Sequence, residues 1–278
     1  MKVNERTLFS CSDLSFSYDE EITIKNLSFS VEEGEKIVLL GKNGSGKSTL
    51  FQLMTSVLQP SSGKRYWRGE EYTRKRKFLN KLYSQIGFVF QNPDEQLFAA
   101  SVEQEISFGA VNLGLEEEEV RRRVNEAMLS TDTLKYKDKA LEELSFGERK
   151  RVSIADLLVM DSKLLLLDEP TAWLDYYNSR EITRVLNDLN SDGMALICST
   201  HDVNWAWQFA KRILVLEAGK LVFDGPAEEL FSDLSQLDDL GIERPMVLEA
   251  YRILEKQGLK LQPEKLPRSF ADLEACCT

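Results

Sequence analysis

The sequence predicts an α/β fold, in which buried strands alternate with helices and a segment of different character follows. Short apolar runs indicate this class. Ile37–Leu40 ends in a glycine-rich loop, and from Lys47 the apolar spacing becomes helical. A buried strand, a glycine loop and a helix in that order begin a βαβ unit. Leu164–Leu167 and Ala195–Ser199 are apolar without interruption, as strands covered on both faces are.

Further strands are predicted at both ends of this region. Leu8–Tyr18 and Ile22–Val31 alternate apolar and polar residues, which is typical of half-buried strands. Arg212–Leu216 and Lys220–Phe223 are expected to form a closing strand pair around the turn Ala218-Gly219.

The middle third of the chain is predicted to be mostly helical. Glu117–Glu119 precede Arg121–Arg123 by four residues, the favourable order for ion pairs along a solvated helix face. The basic run Arg74–Lys77 is interpreted as solvated, with a lipid headgroup or a partner as the alternative contact.

The sequence pattern changes after Gly225-Pro226, and no further apolar strand is predicted. One amphipathic helix is predicted at Met246–Lys256, and the residues beyond it are polar with scattered prolines. We therefore divide the chain into a main domain, residues 1–225, and an extension, residues 226–278.

Charge and composition exclude several functions. Thirty-five basic against 46 acidic residues give a formal charge of −11, which argues against a nucleic-acid partner. No apolar run approaches the about 20 residues that cross a bilayer, and the first ten residues lack the apolar core of a signal peptide. We expect a protein that is not secreted, whose membrane role depends on a partner with spanning helices. The four cysteines, Cys11, Cys198, Cys276 and Cys277, are expected to be free thiols.

The glycine-rich loop matches the pattern G-x-x-x-x-G-K-[ST] of phosphate-binding loops. Gly44 and Gly46 let the backbone turn its N–H groups towards an anion, and the following helix adds its positive end. Lys47 is predicted to reach the β- and γ-phosphates of ATP, and Ser48 to ligate Mg²⁺. The nucleotide-binding residues predicted from this loop are Gly41, Asn43, Gly44, Ser45, Gly46, Lys47, Ser48 and Thr49.

Two carboxylates follow the apolar run Leu164–Leu167 directly. Ligands bind at the carboxyl edge of open α/β sheets, so both are site candidates. Asp168 is predicted to hold Mg²⁺, and Glu169 to polarise the attacking water as general base.

A set of motifs in fixed order resembles the ATP-binding-cassette (ABC) ATPases. Leu144–Glu148 resembles the signature loop of these ATPases, and we use that name for residues 144–148. Gln91 resembles the Q-loop glutamine, Trp173-Leu174-Asp175 the D-loop, and His201, the only histidine, the switch histidine. Tyr18 resembles the aromatic residue that stacks on adenine; packing on the core is the alternative. The resemblance covers residues 8 to 224.

The resemblance implies a fold and roles for these residues. The fold is a P-loop NTPase of ABC type, with a RecA-like mixed sheet core, an antiparallel β subdomain, an α-helical subdomain at about residues 92–160, and a small C-terminal extension. His201 is expected to contact the γ-phosphate and hold the water, and Gln91 to sense both Mg²⁺ and the water. The helix that begins after Ser145, with the Gly147 backbone, forms a second anion-binding terminus. In the family this terminus meets nucleotide held by the opposite subunit. Asp175 of the D-loop is expected to bind nucleotide as well.

The signature and D-loops depart from the family pattern. Phe146 replaces a glycine, Glu148 a glutamine, and Trp173 a residue that is commonly small. Bulk and negative charge at these positions affect the half-site offered to a partner's nucleotide. We therefore expect a heterodimer with one stronger and one weaker site, with a fully active homodimer as the alternative.

The segment Gly87–Phe98, with its Asn-Pro-Asp-x-Gln-Leu-Phe pattern, resembles the ATPases of energy-coupling-factor importers, which take up vitamins, cobalt or nickel. Leu240–Pro245 and the following helix resemble that branch's C-terminal extension, which contributes to pairing. The resemblance implies a peripheral protein at the cytoplasmic face of the cell membrane, bound to a second ATPase, a transmembrane coupling protein and a substrate-binding membrane subunit. Phe88, Phe90, Leu97 and Phe98 are expected to line the groove for the coupling protein, or in part to be core.

Other functions remain as alternatives at this point. The chain would otherwise be an ATPase of another ABC transporter type or a soluble ABC ATPase acting on DNA or ribosomes. A regulatory module that binds nucleotide without hydrolysis and a kinase with the same loop are further alternatives. Glu169, His201 and the signature loop argue against the last two. The transported substrate is not encoded in recognisable residues of this chain.

Overall fold

The computed structural model describes residues 5–19, 21–258 and 266–276. It contains two sheets. The strands in chain order are β1 (Thr7–Tyr18), β2 (Glu21–Glu32), β3 (Lys36–Leu40), β4 (Ser62–Trp67), β5 (Glu70–Glu71), β6 (Ile86–Val89), β7 (Leu164–Asp168), β8 (Ala195–Thr200), β9 (Arg212–Glu217) and β10 (Lys220–Pro226).

Helices connect and cover these strands. They are α1 (Lys47–Met54), α2 (Arg76–Gln85), α3 (Val102–Asn112), α4 (Glu117–Ser130), α5 (Phe146–Leu158), α6 (Tyr176–Ser191), α7 (Val203–Phe209), α8 (Ala227–Ser232), α9 (Leu234–Asp239), α10 (Met246–Lys256) and α11 (Phe270–Cys276). Short 3₁₀ turns occur at Pro93–Glu95, Leu134–Tyr136 and Leu141–Glu143.

The larger sheet is mixed and has the strand order β10-β9-β3-β8-β7-β6. The pair β9-β10 is antiparallel, and the other neighbours are parallel. The second sheet is antiparallel, in the order β2-β1-β4-β5. This arrangement confirms the predicted fold class.

Both faces of the larger sheet are buried, as its apolar strands predict. Along β7, Leu165 and Leu167 belong to one core and Leu164 and Leu166 to another, because successive side chains point to opposite faces. The first core includes α6, α7 and the C-terminal helices; the second includes α1 and the antiparallel sheet. A third core lies among α3, α4 and α5.

Most predicted element bounds agree within about two residues, the usual uncertainty of such ends. The strand expected at Gly87–Phe90 is observed at Ile86–Val89. On α4, Glu117 pairs with Arg121 and Glu119 with Arg123 as expected. Arg122 instead pairs with Glu119 and Glu126.

The remaining expectations concern exposed or buried side chains. The basic run Arg74–Lys77 is solvent exposed. Cys11 and Cys198 are free and buried. Cys277 and the side chain of Cys276 lie outside the part of the chain that the structure describes. No helix among the described residues is long and apolar enough to span a membrane.

The C-terminal residues are attached to the main core through Trp207 on α7. This side chain is fully buried, and its indole N–H donates to the Pro267 carbonyl at 2.8 Å. The Arg268 guanidinium lies 4.2 Å from the indole ring centroid, and the Phe231 ring of α8 meets the indole edge-on. Residues after 226 therefore pack against the core of α6, α7 and the larger sheet, and Trp207 is one of the residues that hold them there.

We expect Trp207→Ala to lower the free energy of unfolding by about 3–5 kcal/mol, because a large buried side chain is lost and the Pro267 carbonyl loses its donor. Denaturant titration with circular dichroism measures this change. The control is Leu129→Ala at an exposed position of α4, which should change stability by no more than about 0.5 kcal/mol. Equal effects of the two substitutions would contradict the attachment.

Candidate functional site

The site lies where four neighbouring parallel strands end. In the sheet register, Leu40 of β3 faces Thr200 of β8, and Asp168 of β7 faces Ser199. Val89 of β6 faces Leu167. The loop after β3, His201, the Asp168-Glu169 pair and Gln91 therefore come together at one edge of the sheet.

A cavity of about 600 Å³ opens at this edge. Ten predicted site residues line it: Asn43, Gly44, Gly46, Lys47, Ser48, Thr49, Gln91, Asp168, Glu169 and His201. Thr23, Ala172 and Trp173 line it as well. Gly41 and Ser45 lie on the other side of the loop, in a neighbouring cavity of about 470 Å³ bounded by Leu240–Glu243 of the extension.

Two glycines of the loop are required by their surroundings. A Cβ on Gly41 would lie 2.4 Å from the Leu216 carbonyl oxygen. Gly46 has φ of +105°, and a Cβ there would lie 2.8 Å from the Ile24 side chain. The loop is thus wedged between β9 and β2, which fixes its backbone before a ligand binds.

The ammonium of Lys47 is held by the loop itself. It donates to the Gly41 carbonyl at 2.7 Å and to the Lys42 carbonyl at 3.3 Å. Burial lowers the pKa of Lys47 below its usual value, while the carboxylates of Glu169 and Asp168 oppose that shift. A phosphate entering the cavity would offer this cation a stronger, charge-assisted acceptor than the carbonyls.

Asp168 links the phosphate loop to the neighbouring strand. Its Oδ2 accepts a hydrogen bond from the Ser48 hydroxyl at 2.5 Å, and its Oδ1 accepts from the Ser199 hydroxyl. Hydroxyl and carboxylate oxygens are the donors that Mg²⁺ prefers, and Mg²⁺ commonly takes further ligands from water and phosphate. Among the described residues no group of three or more His, Cys, Asp and Glu could hold a metal. Ser48 and Asp168 therefore suit a cation that shares its coordination with the substrate.

The Glu169 carboxylate is oriented by two neighbours after β8. Its Oε2 accepts from the Thr200 hydroxyl at 3.1 Å, and its Oε1 lies 2.8 Å from His201 Nδ1. The Glu169 side chain is 9% exposed, whereas the His201 side chain is 63% exposed. The backbone of Glu169 has φ of +44° and donates to the Ser199 carbonyl at 3.1 Å. This combination gives a carboxylate held by two hydrogen bonds beside an exposed imidazole.

Tyr18, the predicted adenine contact, does not line the cavity. Its hydroxyl donates to Gln52 Oε1 of α1 at 3.3 Å, and its ring packs edge-on against Phe16. Nearly half of the residue's surface is exposed. The adenine role stays a prediction.

The signature loop does not line this cavity, although its Phe146 contacts Trp173, which does. Ser145 is exposed and caps α5: its Oγ accepts from the Glu148 N–H at 3.4 Å, while Glu148 Oε2 accepts from the Ser145 N–H at 2.7 Å. Burial raises the pKa of Glu148, but hydrogen bonds from Tyr136 and Ser145 outweigh this effect and lower the pKa overall. The negative charge at the head of α5 is thus held by the helix terminus itself.

The D-loop packs against the signature helix. A Cβ on Gly147 would lie 2.6 Å from the Asn178 side chain, so glycine is needed for this contact. The Asp175 carboxylate caps α6 by accepting from the Asn178 N–H at 2.8 Å, which lowers the pKa of Asp175. Trp173, with φ of +62°, meets the Phe146 ring edge-on at 5.8 Å. The two aromatic departures from the family pattern are therefore in contact.

The residues expected to line a groove differ in exposure. Phe88 packs against Phe51 and Phe90. Leu97 packs on the third core. Phe98 is 66% exposed and meets Phe108 of α3 edge-on, which forms an exposed aromatic pair.

Several neighbours of the site were missed in the sequence. Ser199 and Thr200 directly precede His201, and their position at the end of a buried strand was a usable signal. Thr23 and Asn178 had no local signal, because each reaches its place only through the packing of distant segments.

Comparison with known proteins agrees with the motifs. Residues 24–172 match the family model for "ABC transporter". The chain is 39% identical over 246 residues to energy-coupling factor transporter ATP-binding protein EcfA of Methanocaldococcus jannaschii, which covers 88% of each chain. It is 38% identical over 257 residues to EcfA3 of Clostridium perfringens, covering 91% of this chain and 90% of the relative.

Solved structures give the same result. The structure of cbiO1 from Clostridium perfringens, part of the ABC transporter complex cbiONQ, superposes with a TM-score of 0.79 at 37% identity, covering 90% of this chain and 100% of that one. A dimeric ATP-binding cassette in a post-hydrolysis state, bound to ADP and Pi, superposes with a TM-score of 0.71 at 26% identity, covering 79% and 99%.

We expect Thr200→Val to slow ATP hydrolysis about tenfold with a much smaller change in KM. Valine keeps the shape of the threonine side chain, but Glu169 loses a hydrogen-bond donor. A loss of about 1.4 kcal/mol corresponds to a factor of ten in rate. Steady-state phosphate release gives both constants. The matched control is Thr131→Val, which removes a buried hydroxyl bonded to the Ala127 carbonyl, remote from the site. A kcat for Thr200→Val equal to that of the control would contradict the orienting role.

Proposed function

This chain belongs to the ABC transporter family, and on that premise we propose that its Gly41–Thr49 loop and the Asp168-Glu169 pair form the ATP-hydrolysing half-site of an importer motor. The chain is the ATP-binding subunit of an energy-coupling-factor type ABC importer, an ATPase coupled to transport. The observation that carries the proposed roles is the position of Glu169. Its carboxylate is fixed by Thr200 and His201 at the cavity that Lys47 and Ser48 also line.

In the proposed reaction the triphosphate lies along the loop, and Lys47 exchanges its carbonyl partners for phosphate oxygens. Glu169 accepts a proton from water while the water oxygen attacks the γ-phosphorus. The bond from that phosphorus to the bridging oxygen breaks, leaving ADP and phosphate. His201 stabilises the charge on the γ-phosphate, and Gln91 orients the water. Ser48, Asp168 and Gln91 would hold Mg²⁺, which neutralises phosphate charge when bound.

We propose that two ATPase subunits pair head to tail, with Ser145, Gly147 and Asp175 completing the partner's nucleotide site. The exposure of Ser145 and the dimeric form of the cassette bound to ADP and Pi support this arrangement. Tyr18 is proposed to stack on adenine, and residues 226–278 to contribute to pairing.

The membrane partners follow from the same family. We propose that a transmembrane coupling protein docks near the exposed pair Phe98 and Phe108, and that a separate membrane subunit selects the micronutrient. The cbiONQ complex, to which the similar cbiO1 belongs, supports such an assembly. We propose that the chain is peripheral, at the cytoplasmic face of the cell membrane.

We expect Glu169→Gln to retain ATP and Mg²⁺ binding but to lower single-turnover hydrolysis by at least about a hundredfold, because the amide cannot accept the proton. Rapid-quench measurement in the assembled transporter tests this. Glu126→Gln on the exposed face of α4 is the control and should hydrolyse at the wild-type rate. Hydrolysis by Glu169→Gln at near that rate would remove Glu169 from the role of base.

We propose that the two ATP sites of the dimer are unequal, and this asymmetry has its own test. Phe146→Gly combined with Glu148→Gln should raise steady-state turnover of the assembled transporter several-fold, because bulk and charge are removed from the half-site while glutamine still completes the capping box. Phosphate release measures turnover, and native mass spectrometry shows whether two different ATPases are present. Unchanged or lower turnover would contradict a weakened second site.

A further inference from the structure

A buried lysine lies beneath the site without facing the cavity. Lys150, on the second turn of α5, has no exposed surface. Lysines are almost never fully buried unless the ammonium is paired, since desolvation of the charge is costly. Burial lowers the pKa of Lys150 to about 8, against the attraction of Asp168 and Glu169. A cation kept at this position needs an explanation beyond packing.

The ammonium of Lys150 contacts the backbone where the Q-loop begins. It donates to the Phe90 carbonyl at 2.6 Å and to the Gln91 carbonyl at 2.8 Å. Hydrogen bonds from a charged donor are roughly twice as strong as neutral ones. The two carbonyls belong to the peptide groups before and after the Gln91 α-carbon. The two bonds therefore fix the backbone on both sides of Gln91, and with it the direction in which the Gln91 side chain projects.

Further contacts fasten the same segment to α5. The Gln96 amide donates to the Ser153 carbonyl at 2.8 Å, and its oxygen accepts from the Phe90 N–H at 3.4 Å. At the outer end, Arg149 and Asp94 form an ion pair at 2.9 Å. The start of the Q-loop is thus bonded to α5 through the side chains of Lys150, Gln96 and Arg149.

We propose that Lys150 is a positioning residue that makes residues 90–96 and the first turns of α5 move as one unit. Ser145 heads this helix, so Gln91, which lines the phosphate cavity, would change position together with the signature loop as that loop closes on the partner's nucleotide. The proposal rests on the role of Gln91 under the proposed function. Lys150 itself touches no reacting atom.

A double-mutant cycle in the assembled transporter tests the proposal. Lys150→Met keeps the length of the side chain and removes the donor. We expect Lys150→Met and Gln91→Ala each to lower kcat about tenfold, with KM for ATP within about threefold. The double variant should fall no further, because both changes remove the same contribution of Gln91. The control is Lys36→Met, which removes another lysine donor, bonded to Asn187 at 2.8 Å and remote from the Q-loop. Lys36→Met should leave kcat unchanged.

The outcomes separate the two ideas. If the losses from Lys150→Met and Gln91→Ala multiply, Lys150 is only structural and the proposal is wrong. If Gln91→Ala alone leaves kcat unchanged, the role of Gln91 fails first, whatever Lys150 does.

Hydrogen exchange on the wild-type transporter supplies evidence that does not depend on a folded variant. As a nonhydrolysable ATP analogue is titrated, peptides covering 90–96 and 146–152 should gain protection with the same midpoint. Different midpoints would overturn the coupling.

Discussion

The parallel register of β3, β8, β7 and β6 is the constraint on which the site depends. Each strand ends at the same edge, and each delivers a different group: the phosphate loop, His201, the acidic pair and Gln91. The strands are buried on both faces, so their register is fixed by two cores at once. A shift of one residue in β7 would exchange the core-facing leucines and move Asp168 away from Ser48. The packing of the two cores therefore determines where the groups of the site lie.

That constraint also explains which parts of the site the sequence predicts. Groups that directly follow a buried strand, such as Glu169 and His201, are predictable because local apolar runs mark the strand and its end. The phosphate loop is predictable because its glycines are required by close backbone approach, as at Gly41 and Gly46. In these cases the local pattern and the tertiary environment demand the same residue types.

Other features depend on contacts between distant segments and leave little trace in one sequence. From the sequence, Lys150 resembles any other charged residue of a polar helix. No neighbouring residue indicates that its ammonium is buried against the carbonyls of Phe90 and Gln91. Arg122 was expected to pair with Glu118, but Glu119 and Glu126 lie on the same side of the helix and both reach it. Glu148 looked like an added charge at the signature loop, whereas the capping box commits its carboxylate to the Ser145 N–H. The fold class, the strands and the residues of the phosphate loop could be predicted from the sequence. The side chains that contact these loops from distant segments, such as Lys150, could not.

Two buried lysines near the acidic pair differ in what they can do. Lys47 and Lys150 both have pKa values lowered by burial, and both bind backbone carbonyls. Lys47 lines the cavity, so an entering phosphate can take it from the Gly41 carbonyl without leaving a buried charge unpaired. Lys150 is fully enclosed, and removing it from the Phe90 and Gln91 carbonyls would leave a cation and two acceptors unsatisfied. One cation is therefore free to respond to an entering phosphate, whereas the other holds the backbone of Phe90 and Gln91 to α5.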